Sequence, residues 1–159
     1  MKKRLYLAYG SNLSTIQMAC RCPDAEIVGT ATIKDYRLMY KGSLTGSYAT
    51  IEPEEGQQVP VLVWAISARD ERSLDRYEGY PTFYYKKELE VEIIDHGKSL
   101  GIHTAMVYIM DERRENGIPS GFYENILREG YREFGFNEDI LDEAMKYSIQ
   151  NINSLKTAK

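Results

Sequence analysis

A mixed α+β domain, a curled sheet or small β-barrel with flanking helices, is the fold class the sequence predicts. Three observations carry it: short β-type segments crowd the middle of the chain, helical patterns gather at its end, and strands and helices do not alternate regularly. A doubly wound parallel sheet would need that alternation. The 159 residues carry 43% hydrophobic and 28% charged residues, the balance of one folded domain spanning residues 1–159. No internal repeat, low-complexity run or linker divides it.

Arg4 to Tyr9 reads as a buried first strand that breaks at Gly10-Ser11-Asn12. The polar side chains of that break can cap a helix over roughly Ser14 to Cys20. Two strands are expected between Ala25 and Tyr40. Another runs from Tyr48 to Glu52, before a turn at Glu52-Pro53-Glu54-Glu55-Gly56. Val59 to Ile66, with the sole Trp64, reads as a central strand. Ser67 to Glu78 reads as a helix, with Ser67 as N-cap and Gly79 where helices commonly stop. Lys87 to Ile93 alternates Leu89, Val91 and Ile93 against Glu88, Glu90 and Glu92, and a turn at Asp95-His96-Gly97-Lys98 leads into Ile102 to Met110. After the loop Asp111 to Gly121 come a helix near Ser120 to Phe134 and a last helix with the stripe Ile140, Leu141, Ala144 and Met145. The tail Leu155 to Lys159 is expected to fray.

Charge and composition exclude several functions. A net charge of −4 gives no global attraction for nucleic acid or anionic membrane, and Lys2-Lys3-Arg4 reads as a solvated end. The apolar stretch after it is too short for a signal peptide or membrane span, so a cytoplasmic protein is expected. Cys20, Cys22, His96 and His103 are too few and too scattered for a disulfide framework or zinc site; no metal is expected. His96-Gly97-Lys98-Ser99 lacks the glycine a phosphate-binding loop needs, since Glu92 stands there. Neither Gly-x-Gly-x-x-Gly nor Gly-x-Ser-x-Gly occurs in the contexts those motifs require, and the two histidines are poor material for a Ser-His-Asp triad. The 13 tyrosines against 4 phenylalanines suit a polar pocket inside an aromatic wall.

Two segments can carry chemistry. In Leu5-Tyr6-Leu7-Ala8-Tyr9-Gly10-Ser11-Asn12-Leu13 a buried strand stops at Gly-Ser-Asn before a helix. Such a junction presents backbone N–H groups that can hold a carboxylate or oxyanion, and it can equally be a plain capped turn. In Leu74-Asp75-Arg76-Tyr77-Glu78-Gly79-Tyr80-Pro81, Glu78 falls at a helix C-terminus, where the dipole disfavours an anion. Tyr77, Tyr80, Phe83, Tyr84 and Tyr85 stand to desolvate it further. Both effects raise a carboxyl pKa toward the range of a general acid/base, although most glutamates at helix ends are simply exposed.

Tyr9-Gly10-Ser11-Asn12 after a hydrophobic strand, Ala49-Thr50-Ile51-Glu52-Pro53 with Gly56, Leu74-Asp75 running into Glu78-Gly79, and a distal tyrosine near Pro119 together resemble the γ-glutamylcyclotransferase superfamily, most nearly its small bacterial members. The resemblance spans Tyr6 to about Phe136. It implies a cyclotransferase fold, no cofactor, and a small-molecule γ-glutamyl substrate whose α-amino group attacks its own γ-carbonyl to release 5-oxoproline. It further implies Glu78 as acid/base and Tyr6, Leu7, Ala8, Tyr9, Gly10, Ser11 and Asn12 as the substrate loop. Tyr108 and Tyr123 match substrate-contacting tyrosines, with Tyr131 the rival for Tyr123. The Gly79-Tyr80-Pro81 run also resembles relatives acting on γ-glutamylamines, so the leaving group stays open. A non-catalytic domain binding a small carboxylate is the alternative. The sequence carries no signal of oligomeric state.

Overall fold

Strand β1 (Arg4–Ala8) runs through the middle of the molecule, buried from Tyr6 onward. In this computed structural model, which describes residues 3–43 and 46–157, it leads through a single 3₁₀ turn (Ser11–Leu13) into helix α1 (Thr15–Arg21). Two long strands follow, β2 (Glu26–Ser43) and β3 (Gly46–Ile66), then helix α2 (Ala68–Glu78). The hairpin β4 (Tyr84–Asp95) and β5 (Lys98–Met110), the short β6 (Glu115–Asn116), and helices α3 (Gly121–Phe134) and α4 (Asp139–Thr157) complete the order.

The sheet closes on itself. β1 lies between β3, antiparallel, and β5, parallel; β5 pairs with β4, β4 with β2, and β2 back with β3. β6 adds to the free stretch of β2. Closure leaves both faces of the strands covered, so Val59 to Trp64 are buried in unbroken succession instead of alternating. The seam between β2 and β4 is narrow, with Thr30 opposite Ile94. Gly29 permits it: a Cβ there would come within 2.4 Å of the Ile94 carbonyl oxygen.

Several expectations need correction. The two strands expected between Ala25 and Tyr40 are one, kept continuous by register shifts at Ile27/Gly29 and Lys34/Tyr36. The second shift lets the Glu54–Gln57 excursion bulge out of β3 without ending it. Asp35, at φ 62°, accepts the Gly56 N–H through Oδ1 at 3.0 Å. The segment read as a turn is therefore an irregularity inside a long hairpin. The Gly10-Ser11-Asn12 side chains do not cap α1; Ser14 does, accepting from Gln17 N at 3.3 Å. Nor is the basic start a solvated end: Arg4 pairs with Glu71 at 2.8 Å and Glu88 at 3.0 Å, and Lys3 with Glu26 at 3.4 Å. Lys2 lies outside the described residues, as do the last two residues of the expected frayed tail; the helix continues to Thr157.

α2 obeys local rules at both ends. Ser67 accepts from Asp70 N while Asp70 accepts from Ser67 N, and Gly79 takes the left-handed conformation, φ 65°, that ends the helix. α4 is fixed to β2 through Ser148, whose Oγ accepts from Tyr40 N at 2.9 Å and donates to Tyr40 O at 3.1 Å. No described helix is long and apolar enough to cross a membrane.

Candidate active site

The C-terminal end of β1, the last turn of α2 and the start of α3 converge on a cavity of about 360 Å³. β1 and its turn supply Tyr6, Leu7, Tyr9, Gly10, Ser11 and Asn12; α2 and its cap supply Arg76, Tyr77, Glu78 and Gly79. Tyr48 and Ala49 of β3, Phe83 and Tyr84 before and within β4, Tyr108 of β5 and Tyr123 of α3 complete the wall. Seven of the 13 tyrosines face this space.

Glu78 sits where α2 stops because Gly79 turns the chain: Tyr80 N–H bonds back to Asp75 O at 2.9 Å. Among the described residues its carboxylate has no hydrogen-bond or ion-pair partner. Burial against the aromatic wall pushes its pKa up to about 7, with the Arg21 cation pulling the other way. Burial first, then the Glu78 charge, hold the Tyr6 and Tyr9 hydroxyls well above the ordinary phenol range. Those tyrosines are neutral and Glu78 is the titrating group of the cavity near pH 7.

Hydrogen-bond polarity sorts the tyrosines. Tyr9 donates to the Tyr108 carbonyl at 2.6 Å, Tyr84 to the Ala49 carbonyl at 2.8 Å and Tyr108 to Asp75 Oδ1 at 2.6 Å. Each has committed its only proton. Tyr6 and Tyr123 instead accept, from Asn12 Nδ2 at 2.9 Å and from Ala49 N at 3.0 Å. Their own O–H protons remain available to a ligand. The Asn12 orientation follows from its other neighbour, since Arg21, which can only donate, stands 2.5 Å from Oδ1.

The turn after β1 is tightly drawn. Leu13 N and Ser14 N bond back to Gly10 O and Ser11 O at 3.0 Å each, and Trp64 Nε1 donates to Asn12 O at 3.1 Å. These bonds occupy carbonyls, and the N–H groups of Gly10, Ser11 and Asn12 have no partner among the described residues. A Cβ at position 10 would lie 3.1 Å from the Tyr123 hydroxyl, so glycine lets β1 and α3 meet here.

The structure thus brings together every residue singled out from the sequence except Ala8, which is buried opposite Leu62 and does not reach the cavity. Tyr131, the rival to Tyr123, is sealed in the core with its ring 5.4 Å from Phe136. Of the aromatics expected around Glu78, Tyr77, Phe83 and Tyr84 line the cavity and Tyr80 and Tyr85 do not. Two participants carried no local signal, Arg21 and Lys86, which pairs with Asp75 at 2.9 Å and Glu71 at 2.6 Å; Asp75 belongs to a motif of the sequence, but its role as the anchor of Tyr108 does not show there. Their partners lie on other elements, so only the assembled fold could identify them.

The cysteines and histidines stand elsewhere. Cys22 is buried, its thiol pushed up to about 12 chiefly by burial, while Cys20, His96 and His103 are exposed. No cluster of three or more metal-ligating side chains occurs among the described residues.

Comparison with known proteins gives this geometry a context. Residues 6–125 match the family model described as gamma-glutamyl cyclotransferase, AIG2-like. The chain is similar to gamma-glutamylcyclotransferase of Homo sapiens, 34% identical over 139 residues, covering 82% of this chain and 71% of that one. The Bos taurus protein of the same name is 33% identical over the same share of each chain. Among solved structures, one named gamma-glutamyl cyclotransferase superposes with a TM-score of 0.77 at 29% identity, over 90% of this chain and 86% of the other.

Proposed function

The chain belongs to the gamma-glutamyl cyclotransferase, AIG2-like family and is an enzyme of that class, and from this premise we propose that it converts a γ-glutamyl amino acid or γ-glutamylamine to 5-oxoproline and the free amino acid or amine, with Glu78 as general acid/base. One observation carries the reading: a carboxyl without a partner, raised to about 7, faces a tyrosine-walled cavity that it shares with the Gly10–Asn12 turn.

The chemistry suits these groups. A free α-amino group has a pKa of about 8 and is mostly protonated at neutral pH. Glu78, itself poised near 7, accepts that proton; a carboxylate in its ordinary range would be a poor acceptor for it. The freed nitrogen attacks the γ-carbonyl carbon of the same molecule and closes a five-membered lactam. The bond from that carbon to the leaving nitrogen breaks as Glu78 returns the proton to it, and the second proton shed by the attacking nitrogen passes through the freed Glu78 carboxylate to the departing amine, which leaves as the ammonium. No water is consumed and no nucleophilic side chain is required. Holding the substrate folded exploits proximity, an effect of about 7–11 kcal/mol in well-oriented intramolecular reactions. The unpartnered N–H groups of Gly10 and Ser11 and the available protons of Tyr6 and Tyr123 are the donors suited to the oxyanion and the glutamyl carboxylate. In this reading Tyr9 and Tyr108 shape the wall with their rings.

Purified protein given γ-glutamyl amino acids and γ-glutamylamines should release 5-oxoproline, and Glu78→Gln should lower kcat by about 10²–10⁴-fold while folding normally. Release of free glutamate would identify a hydrolase. Thermal stabilisation by these compounds without turnover would identify a binding domain.

A further inference from the structure

Arg21 is the last residue of α1 and does not line the cavity, yet it touches both halves of the candidate site. Its Nη1 donates to Asn12 Oδ1 at 2.5 Å and to Ser11 Oγ at 3.3 Å. Its guanidinium lies over the Tyr77 ring, 3.6 Å from the centroid. The Tyr77 hydroxyl in turn stands 3.3 Å from Ser11 Oγ, and Tyr77 immediately precedes Glu78. Among the described residues Arg21 forms no ion pair. A cation taken partly out of water against an amide, a hydroxyl and a ring is unusual, because nothing within contact distance neutralises it.

The geometry points to Arg21 as a positioning residue that clamps the Ser11–Asn12 turn to the last turn of α2, so that the substrate loop and Glu78 keep one fixed relation. The inference rests on the cyclotransferase reading of this cavity and adds to it a residue that never touches substrate. Through Asn12, Arg21 also fixes the polarity of the site. Its donation to Oδ1 forces Asn12 Nδ2 toward Tyr6, which makes Tyr6 an acceptor and leaves the Tyr6 proton for the ligand. A planar fork that both hydrogen-bonds and stacks is what this place requires, and a lysine supplies only the charge.

The clamp also has an electrostatic side. The titratable hydroxyls that share the cavity with Glu78 are Tyr6 and Tyr9 from β1 and its turn, Tyr48 from β3, Tyr77 from α2, Tyr84 from β4, Tyr108 from β5 and Tyr123 from α3. Arg76 lines the cavity from α2 itself, and Arg21 is the cation on α1 whose field favours the Glu78 carboxylate.

Arg21→Met and Arg21→Lys test this. With a γ-glutamyl amino acid that the wild-type protein turns over, both variants should lose about 10–100-fold in kcat, the scale of a misplaced catalytic constellation. Arg21→Met should in addition move the acidic limb of kcat/KM to higher pH, while Arg21→Lys keeps it near the wild-type position. A carboxyl ¹³C NMR titration of Glu78 reads the same upward movement without turnover, so it separates this inference from the reaction. Melting curves give the folded fraction against which kcat is normalised. If folded Arg21→Met keeps wild-type kcat and an unmoved Glu78 titration, the clamp is only structural and the inference fails. If the wild-type protein forms no 5-oxoproline, the reaction is wrong, and an upward Glu78 titration in Arg21→Met still supports the electrostatic side of the inference.

Discussion

At the scale of the residue, Glu78 combines two opposed demands. The apolar wall disfavours its charge, and the reaction needs that charge to accept a proton. The proposed mechanism therefore has an acidic limb in kcat/KM with a midpoint near pH 7, above which Glu78 is ionised and activity is full. A limb near pH 4.5 in an initial-rate profile would show that burial does not govern the base. The same shift has a consequence for stability. A carboxyl whose pKa is raised on folding favours the native state below its unfolded pKa, and that contribution fades as pH rises through about 7. Glu78→Gln should therefore melt higher than wild type at pH 8–9 and close to it at pH 4. The candidate base was visible in the sequence because a helix end and neighbouring aromatics are local features. Its electrostatic partner was not, since Arg21 lies 57 positions away and meets it only in the fold.

At the scale of the element, α2 delivers Glu78 to the cavity by starting and stopping at defined residues. The Ser67–Asp70 capping box sets the start, and Ser67 Oγ also donates to Asp24 Oδ2 at 2.8 Å, tying the helix to the segment after α1. Removing that hydroxyl in Ser67→Ala should cost about 1 kcal/mol in urea denaturation, with kcat per folded molecule retained. A kcat that falls with the stability would mean the cap also tunes the distant end. The start, stop and face of α2 were legible because capping and helix-ending chemistry act within a few residues. The β2–β3 hairpin was not legible in the same way: Glu52-Pro53-Glu54-Glu55-Gly56 has every mark of a turn, yet Asp35 on the neighbouring strand holds it as a bulge. The segment's turn chemistry does break regular pairing, but pairing resumes on both sides and the strand does not end.

At the scale of the whole molecule, barrel closure is what brings residues 6–12, 78, 108 and 123 to one space. Closure runs through a narrow seam at which Gly29 accepts the Ile94 carbonyl against its backbone. Gly29→Ala should destabilise the protein by about 1–3 kcal/mol, measured by chemical denaturation, because the approach to backbone leaves no flexible side chain to yield. An unchanged midpoint would mean that β2 and β4 can part without penalty. The parallel contact of β1 with β5, inside an otherwise antiparallel ring, has a functional side too: it sets Tyr108 beside Tyr6, ring centroids 5.8 Å apart.

The helices, the ends of α2 and the break after β1 follow from neighbouring residues, because propensity, capping and backbone conformation act over a few positions, and the family is legible from motifs spread along the chain. The strand order by which the sheet closes, the single long β2 and β3, and the choice of Tyr123 over Tyr131 required the fold, since each turns on which distant segments meet. The same holds within the cavity. A tyrosine in the sequence is an aromatic ring with a hydroxyl, and only its partner in space decides whether that hydroxyl is spent on the protein or left for a substrate.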